Sequence, residues 1–232
     1  MRSPVPIVGV LAALALSACG DDNAPSDEVR VGGKDGRPGT TLVAALGDSI
    51  SAGSPLWDPD PAVRKRIGPA LDPESQYGYW AQLRLKGTRF RNCGVLGERT
   101  DEIAERLEGC AKGADLLVVQ GGINDIAQMR DIGSAAENLR GMVKRGQTLG
   151  LRVALVQVLP WNNGYPAADP IIRELNRMID AIGREEDVPV FPWYQRLQDP
   201  RARGRMKREW TSDGDHPSVT GYKRLADAVA LP

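Results

Sequence analysis

The feature that most constrains this fold is an alternation of short apolar runs, rich in branched residues, with longer stretches of helical spacing. Apolar runs of this kind are typical of parallel strands covered on both faces by helices. The predicted strands are Thr41–Leu46, Thr88–Asn92, Asp115–Gln120, Arg152–Leu159 and Val188–Phe191. The predicted helices are Tyr79–Leu85, Thr100–Leu107, Ala135–Leu149, Pro170–Glu186 and Ser218–Val229. The pattern predicts an α/β domain built around one parallel sheet.

The predicted helix at 170–186 has a one-sided apolar face. Its members recur at intervals of three, four and one residues, and they are Ile171, Leu175, Met178, Ile179 and Ile182. An apolar stripe on a helix faces the core of a globular domain. We therefore expect these five side chains to pack against the sheet.

Glycines and small polar residues follow four of the predicted strands. The segments are Gly47-Asp48-Ser49, Cys93-Gly94-Val95-Leu96-Gly97, Gly121-Gly122-Ile123-Asn124-Asp125 and Pro160-Trp161-Asn162-Asn163-Gly164. Tight turns alone explain the glycines but not Ser49, Asn124 and Asp125. Because open parallel sheets build their sites at the carboxyl ends of their strands, we expect the functional site at this edge.

Charge and composition exclude several classes of function. The 30 basic and 30 acidic residues cancel, so overall charge gives no support for nucleic-acid binding. One histidine and three cysteines are too few for a zinc finger, a histidine-rich metal centre or an iron cluster. A carboxylate site for magnesium or calcium remains open. The 232 residues suffice for one catalytic domain, expected to be a monomer.

The amino terminus is typical of an exported protein. A positive charge at Arg2 precedes an apolar run that is too short to span a membrane, which predicts a signal peptide over residues 1–18. The segment Leu16-Ser17-Ala18-Cys19 resembles the lipobox of bacterial lipoproteins. That resemblance implies a lipidated Cys19 and a membrane anchor; a plain secretory signal with a chance cysteine is the alternative. Residues 19–40 are predicted to be a flexible tether, and residues 41–232 the folded domain.

Export changes how the other two cysteines are interpreted. An oxidising compartment permits disulfides, so Cys93 and Cys110 are a candidate pair. Closing so short a loop contributes on the order of 3 kcal/mol in the chain-entropy model. Two buried free thiols are the alternative.

The segment Ser54–Gln76 contains five prolines and is long for a connection in a compact domain. Such loops are usually functional covers or disordered segments. Because it directly follows Ser49, we interpret it as a wall or lid of a cleft. Trp57 in this segment, and Trp161 and Tyr165 after the fourth strand, are candidates to border that cleft.

Ser49 and His216, the only histidine, are candidates for a nucleophile and its general base. Ser49 follows the first strand, where a turn can expose its hydroxyl group. Asp213 stands three residues before His216, a spacing that can bring its carboxylate to imidazole Nδ1 and leave Nε2 for Ser49. Asp215 is adjacent to the histidine and is expected to point elsewhere.

Acyl transfer also requires donors for an oxyanion. The backbone N–H groups of Ser49 and Gly97 and the side-chain amide of Asn124 are the candidates, because they follow three strands whose ends share one edge. Asn124 as a helix cap and Gly97 as a plain turn residue are the alternatives.

Four segments in this order resemble the SGNH, or GDSL, hydrolase superfamily. They cover roughly residues 41–230 and are Gly47-Asp48-Ser49, Asn92-Cys93-Gly94-Val95-Leu96-Gly97, Gly122-Ile123-Asn124-Asp125 and Asp213-Gly214-Asp215-His216. The resemblance implies a three-layer α/β/α flavodoxin-like fold with a five-stranded parallel sheet of order 2-1-3-4-5. It also implies that no metal or cofactor is needed.

By the same resemblance, Ser49 is the nucleophile, Gly97 and Asn124 are oxyanion donors, and Asp213 with His216 completes the triad. Gly94 is a rival for Gly97. Two residues depart from the family pattern. They are Ile50, in place of the common leucine, and Asp215, at a position that is usually apolar.

The resemblance implies hydrolysis of an ester of a lipid, an aryl alcohol or an O-acetylated sugar, or of an acyl thioester. Two clusters of cations, Arg64–Arg66 and Arg201–Arg208, are either a solvated face or a surface for anionic headgroups or polymers. A catalytically silent binding lipoprotein and a metal-dependent phosphoesterase remain as alternatives. The phosphoesterase would use Asp48, Asp125 and Asp213.

Overall fold

The computed structural model describes residues 40–53, 60–67 and 72–231. The predicted signal peptide, the lipidated Cys19, almost all of the tether and Trp57 lie outside these residues. Much of the predicted lid lies outside them too, but one helix of it is described.

One parallel sheet forms the centre of the domain. Its strands are β1 (Thr41–Gly47), β2 (Thr88–Gly94), β3 (Leu116–Val119), β4 (Arg152–Val156) and β5 (Val190–Phe191). They are hydrogen-bonded in the order β2-β1-β3-β4-β5, and every neighbouring pair is parallel. The predicted fold class and strand order are confirmed.

Helices cover the sheet on both faces. They are α1 (Ser49–Ala52), α2 (Pro61–Ile67), α3 (Tyr77–Arg84), α4 (Thr100–Glu105), α5 (Leu107–Ala111), α6 (Ile123–Ala127), α7 (Ile132–Thr148), α8 (Asp169–Glu185), α9 (Trp193–Leu197) and α10 (Val219–Asp227). Alternate residues of β1 enter different cores: Ala44 and Leu46 pack with α4, α5, α7 and α8, whereas Val43 and Ala45 pack with α3, α9 and α10. The alternation of side chains along a strand thus produces the two apolar layers. None of the helices in the described ranges has the length and apolar character needed to cross a membrane.

The prediction for the apolar face of α8 is wrong at its first member. Ile171 is 42% exposed, whereas Ile172 is buried together with Leu175, Ile179 and Ile182. Those four residues are spaced three, four and three apart, which matches the helical period, and Ile171 lies about 60° from the centre of their stripe around the helix. Met178 is partly buried at the edge of the stripe.

Several predicted boundaries also differ from the structure. The helix expected at 100–107 is interrupted at Arg106, where α4 ends and α5 begins. Strand β4 ends at Val156, three residues early, because the backbone N–H and C=O of Val158 pair with the side chain of Asn176 on α8. The strand expected at 188–191 is shorter in the structure: β5 comprises Val190 and Phe191, and the carbonyl of Pro189 accepts from Leu155 N–H on β4 at 2.9 Å.

A short hairpin occupies the second cluster of cations. Its strands are β6 (Gln198–Asp199) and β7 (Ala202–Met206), and they pair antiparallel, apart from the main sheet. Arg203 and Arg205 are exposed on β7, whereas Gly204 and Met206 are buried. Neither helical spacing nor an apolar run marks this hairpin in the sequence, because its exposed positions are arginines.

Candidate active site

Ser49 begins α1, directly after the buried strand β1, and its turn is held by side chains from two neighbouring strand ends. Asp48 caps α1 by accepting a hydrogen bond from Ile50 N–H at 2.8 Å. Gln120, after β3, accepts from Asp48 N–H at 3.1 Å, Ser51 N–H at 3.2 Å and the Ser51 hydroxyl at 3.0 Å. Asn92 on β2 donates its amide to the carbonyl of Ala52 at 2.9 Å. The sheet therefore fixes the orientation of the serine turn.

Sequence reasoning did not assign a role to Gln120 or Asn92. Each is a polar residue at or near the carboxyl end of a strand of the sheet. Gln120 is also buried there, where a polar side chain is costly unless it is hydrogen-bonded. That position was the available signal.

Ser49, His216 and Asp213 form a continuous hydrogen-bonded line. The distance from His216 Nε2 to Ser49 Oγ is 3.0 Å, and that from His216 Nδ1 to Asp213 Oδ2 is 2.8 Å. The other carboxylate oxygen of Asp213 accepts from the backbone N–H groups of His216 at 2.7 Å and Asp215 at 2.8 Å. The geometry brings together the nucleophile, base and orienting acid that the sequence predicted.

The surroundings of Asp213 favour its charged form. Partial burial acts to raise its pKa, but the hydrogen bonds from the His216 backbone, the His216 ring and the Asp215 backbone lower it more, so the net pKa is below its usual value. An ionised Asp213 keeps a proton on Nδ1 of His216, which leaves Nε2 as the acceptor that faces Ser49.

Asp215 points away from the imidazole, as expected. Its Oδ1 accepts a hydrogen bond of 2.6 Å from the indole N–H of Trp161. Asp213, and not Asp215, is therefore the carboxylate in contact with the imidazole of His216.

We call residues Asp213–His216 the triad loop and residues Trp161–Asn163 the clamp. Each of the first three residues of the triad loop bonds to one residue of the clamp. In addition to the indole bond, Asn162 N–H donates to Gly214 C=O at 3.0 Å and the Asn163 amide donates to Asp213 C=O at 3.1 Å. The clamp thus connects the end of β4 to the loop that carries His216.

The predicted oxyanion donors Gly97 and Asn124 lie on adjacent segments. The Asn124 amide donates to Glu98 C=O at 2.8 Å, and the Gln128 amide donates to Gly97 C=O at 3.3 Å. The residues 97–98 are therefore held against α6. Within the described residues, the backbone N–H groups of Ser49 and Gly97 have no hydrogen-bond acceptor, so both are available to an incoming oxyanion.

Gly94 and Gly97 have different environments, which separates the two rivals. A Cβ on Gly94 would lie 2.0 Å from Ala52 N, so Gly94 is needed for close packing against α1. Gly97 has a φ of +80° and open space where its Cβ would be. The geometry favours Gly97 as the donor.

Asp48, the residue before Ser49, is a fully buried carboxyl group. Burial raises its pKa from 3.8 to about 6, although the hydrogen bond from Ile50 N–H and the charge of His216 act to lower it. Its Oδ2 has no hydrogen-bond partner among the described residues. Asp48 is thus an energetically costly group when it is charged.

The three carboxylates of the metal hypothesis have separate partners. Asp48 caps α1, Asp213 bonds to His216, and Asp125 accepts from the backbone N–H and hydroxyl of Thr100 at 3.0 and 2.8 Å. In the described part of the chain, no three His, Cys, Asp or Glu side chains are grouped so as to hold a metal ion.

A disulfide joins Cys93 to Cys110 and so ties the end of β2 to α5. Arg106 reinforces the same junction, because it donates to Cys93 C=O at 2.8 Å and to Gly47 C=O at 3.2 Å. Its guanidinium also pairs with Glu98, beside the predicted oxyanion donors. These bonds support the loop that carries Gly97.

Trp161 and Tyr165, both predicted to border the cleft, have different partners. Trp161 contacts the triad loop through Asp215, whereas the ring of Tyr165 stacks against the guanidinium of Arg205 at 4.3 Å. Lys65 and Arg66 are exposed on α2.

Comparisons with solved structures reveal the same fold. A lipolytic protein of the G-D-S-L family from Veillonella parvula DSM 2008 superposes with a TM-score of 0.65 at 20% identity, covering 82% of this chain and 96% of that one. A lipase/acylhydrolase from Enterococcus faecalis gives 0.61 at 22% identity, with 82% and 93% covered. A GDSL-like lipase from Bacteroides thetaiotaomicron VPI-5482 gives 0.60 at 20% identity, with 81% and 85% covered. A search of curated protein sequences found no match.

The family model described as GDSL-like lipase/acylhydrolase matches residues 45–224, which is most of the chain. The match runs from β1 to α10 and includes every residue of the hydrogen-bonded line described above. The chain therefore belongs to the GDSL-like lipase/acylhydrolase family of the SGNH hydrolase superfamily, and it is a hydrolase of the esterase type.

Proposed function

We propose that this hydrolase is a serine esterase that cleaves carboxylic esters through an acyl-enzyme on Ser49. The observation that carries the proposal is the line from Asp213 Oδ2 through His216 to Ser49 Oγ, with contacts of 2.8 and 3.0 Å. A hydroxyl group, a base and an orienting carboxylate in hydrogen-bond contact are what nucleophilic acyl transfer requires.

In the first half-reaction, Ser49 Oγ attacks the ester carbonyl carbon while His216 Nε2 takes the hydroxyl proton. The negative charge that develops on the carbonyl oxygen is stabilised by the N–H groups of Ser49 and Gly97 and by the Asn124 amide. Collapse of this intermediate breaks the bond to the alcohol oxygen, which receives the proton from His216. The products of this step are the alcohol and acyl-Ser49.

In the second half-reaction, water attacks the acyl carbon of acyl-Ser49 and His216 takes a proton from it. The same donors stabilise the second oxyanion, and His216 then returns the proton to Ser49 Oγ as the carboxylic acid leaves. Asp213 stabilises the imidazolium in both halves without itself changing charge.

The substitution Ser49→Ala tests this assignment directly. Turnover of 4-nitrophenyl acetate by the full chain should fall by about 10⁴-fold or more, because the nucleophile is removed. Covalent labelling by a fluorophosphonate should disappear as well, and Ser134→Ala, an exposed serine on α7, should label and turn over like the wild type. Turnover that survives in Ser49→Ala would show that the nucleophile lies elsewhere.

The alternative of a silent binding lipoprotein on the same fold makes the opposite prediction. Such a protein would bind an ester without releasing alcohol. Steady release of 4-nitrophenol beyond one equivalent per chain therefore decides between them.

We further propose that the enzyme is exported and attached to a bacterial membrane by acyl chains on Cys19. The support is the segment Leu16-Ser17-Ala18-Cys19 after an apolar run. Cells that express the full chain should incorporate labelled palmitate into it and retain it in the membrane fraction, and Cys19→Ser should abolish both. A labelled Cys19→Ser variant would contradict the anchor.

A further inference from the structure

A small crevice lies at the edge of the sheet that carries the proposed catalytic residues. Its wall includes Ile50, Ile123 and Asp215, which are the chain neighbours of Ser49, Asn124 and His216, respectively. The remaining wall comes from residues at the ends of β3 and β4 and the start of α9, namely Gln120, Gln157, Val158, Leu159, Pro160, Trp161 and Trp193. The crevice therefore lies at the edge of the sheet that carries Ser49 and Asn124.

The crevice is very small. The volume open to the centre of a water-sized sphere is about 10 Å³. That is about the space needed for one water molecule, whereas each methylene of an acyl chain requires further room. An acetyl group fits this size, and an octanoyl chain does not.

Trp161 forms a rigid part of the wall. Its indole N–H is bonded to Asp215 at 2.6 Å, and its ring packs on the backbone of Gly164, where a Cβ would lie only 2.3 Å from the ring. The ring is held at its edge and by this packing, so it cannot easily move aside for a longer chain. The bond to Asp215 also makes this wall continuous with the triad loop.

Asp215 makes the crevice unfavourable for hydrocarbon. Its Oδ2 accepts no hydrogen bond from the described residues, and a long acyl chain placed against the carboxylate would remove water from it. Loss of hydration without a replacement hydrogen bond is costly for a charged group. A methyl group is short enough to contact only the apolar part of the wall.

We propose that this crevice is the acyl subsite and that Trp161 and Asp215 restrict it to acetyl, so that the enzyme is an acetylesterase. The inference rests on the proposed serine esterase function, and it selects acetyl esters over long-chain lipids within that function. Trp161 sets the length limit by occupying space, and Asp215 fixes the position of its ring.

The test measures kcat/KM for 4-nitrophenyl acetate, butyrate and octanoate, which share one leaving group. The wild-type full chain should prefer acetate over octanoate by about 100-fold or more, as expected when a pocket of this size rejects added methylenes. Trp161→Ala should reduce that preference by about tenfold or more, because loss of the wall favours octanoate whereas loss of the clamp bond lowers turnover of both esters alike. Trp80→Ala provides a matched control, since this tryptophan on α3 packs near Lys223 and not at the crevice.

Two further variants keep the inference testable if Trp161→Ala does not fold. Trp161→Phe shortens the ring and removes the N–H, and it should reduce the acetate preference by about threefold or more. Asp215→Asn retains an acceptor for the indole while removing the charge, so octanoate turnover should rise only a few-fold and less than in Trp161→Phe. A preference that stays unchanged in folded Trp161 variants would overturn the inference.

Failure of the inference and failure of the proposed function give different results. A wild-type enzyme that hydrolyses octanoate as fast as acetate, while Ser49→Ala is inactive, would remove the acetyl limit and leave the esterase assignment intact. Fluorophosphonate labelling that persists in Ser49→Ala would instead remove the esterase assignment.

Discussion

The two halves of the proposed triad are held in different ways. The nucleophile turn, residues Asp48–Ala52, is built into the carboxyl edge of the sheet, with Asp48 fully buried and Ser51 2% exposed. The triad loop lies at the surface, where the side chains of Asp213 and His216 are 52% and 37% exposed. The turn depends on buried bonds to Gln120 and on a partly buried bond from Asn92, whereas the loop depends on Asp213 and on the clamp.

This difference separates stability from catalysis. Removing a buried bond at the nucleophile turn leaves unsatisfied groups in the protein interior, so folding and activity should suffer together. Removing a bond at the exposed loop lets water replace the partner, so activity should fall with little loss of stability.

The largest effect is expected at the acid of the triad loop. Asp213→Asn should lower kcat/KM by about 10³-fold to 10⁴-fold, because the charge that orients and stabilises the imidazolium is lost. Asp215→Asn should lower acetate turnover by less than about tenfold, because Asp215 bonds to Trp161 and not to the imidazole. Kinetics with 4-nitrophenyl acetate measure both variants, and a larger loss in Asp215→Asn would reassign the acid.

The second effect should appear at Gln120, in the nucleophile turn. Gln120→Leu removes the acceptor for two backbone N–H groups and one hydroxyl group, so the free energy of unfolding should fall by about 3 kcal/mol. Activity should fall by about tenfold or more in the molecules that remain folded. Urea denaturation and kinetics at low temperature measure the two effects, and unchanged stability would contradict a buried role.

A comparable effect on stability should appear as a pH dependence from Asp48. Because burial raises its pKa from 3.8 to about 6, the folded state holds this proton more tightly than the unfolded chain does. The stabilisation from the proton is complete below about pH 4 and is lost as pH rises through 6, and it amounts to about 3 kcal/mol. The variant Asp48→Asn cannot ionise at this position. The difference in free energy of unfolding, wild type minus variant, should therefore fall by about 3 kcal/mol between pH 3.5 and pH 7.

The comparison with Asp48→Asn cancels the contributions of the other carboxyl groups. Asp213 contributes in the opposite direction: its lowered pKa stabilises the fold above the unfolded pKa, and that stabilisation is lost as pH falls through the folded pKa. A difference between wild type and Asp48→Asn that does not depend on pH would show that Asp48 is not a buried ionisable group in solution.

The smallest effect on stability should come from the clamp. Asn163→Ala removes one exposed bond to Asp213 C=O, so the free energy of unfolding should change by less than about 1 kcal/mol. Turnover should nevertheless fall about threefold to tenfold, because the triad loop loses one of its three attachments to the clamp. Thermal unfolding measures the change in stability, and kinetics measure the change in turnover. A loss of stability as large as that of Gln120→Leu would contradict the proposed difference between the nucleophile turn and the triad loop.

The features that the sequence predicted are those with strong local signals. Continuous apolar strands and the polar residues that follow them predicted the sheet and placed Ser49, Gly97 and Asn124 at one edge. The spacing of Asp213 and His216 predicted their contact, which the structure has at 2.8 Å. These features depend on neighbouring residues in the chain, which is why a pattern can reveal them.

The features that the sequence did not predict depend on distant partners. The contacts of Gln120 with Ser51 and of Trp161 with Asp215 join residues 69 and 54 positions apart. The interruption of the helix at Arg106 is similar, since this arginine is bonded to Gly47, 59 positions earlier. No periodicity encodes such pairs, so only the three-dimensional structure reveals them.

Gly94, the last residue of β2, and Gly97, in the loop after it, have a consequence for how the chain tolerates change during evolution or in a mutant library. Gly94 takes no part in the proposed chemistry, yet any side chain there collides with the backbone of Ala52, so selection for folding alone should keep it glycine. At Gly97 there is space for a side chain, and only the positive φ opposes one, a conformation that asparagine and aspartate adopt most readily among other residues. A library selected for soluble expression should therefore retain glycine at 94 and admit asparagine or aspartate at 97, although 97 is the position proposed to contact the substrate.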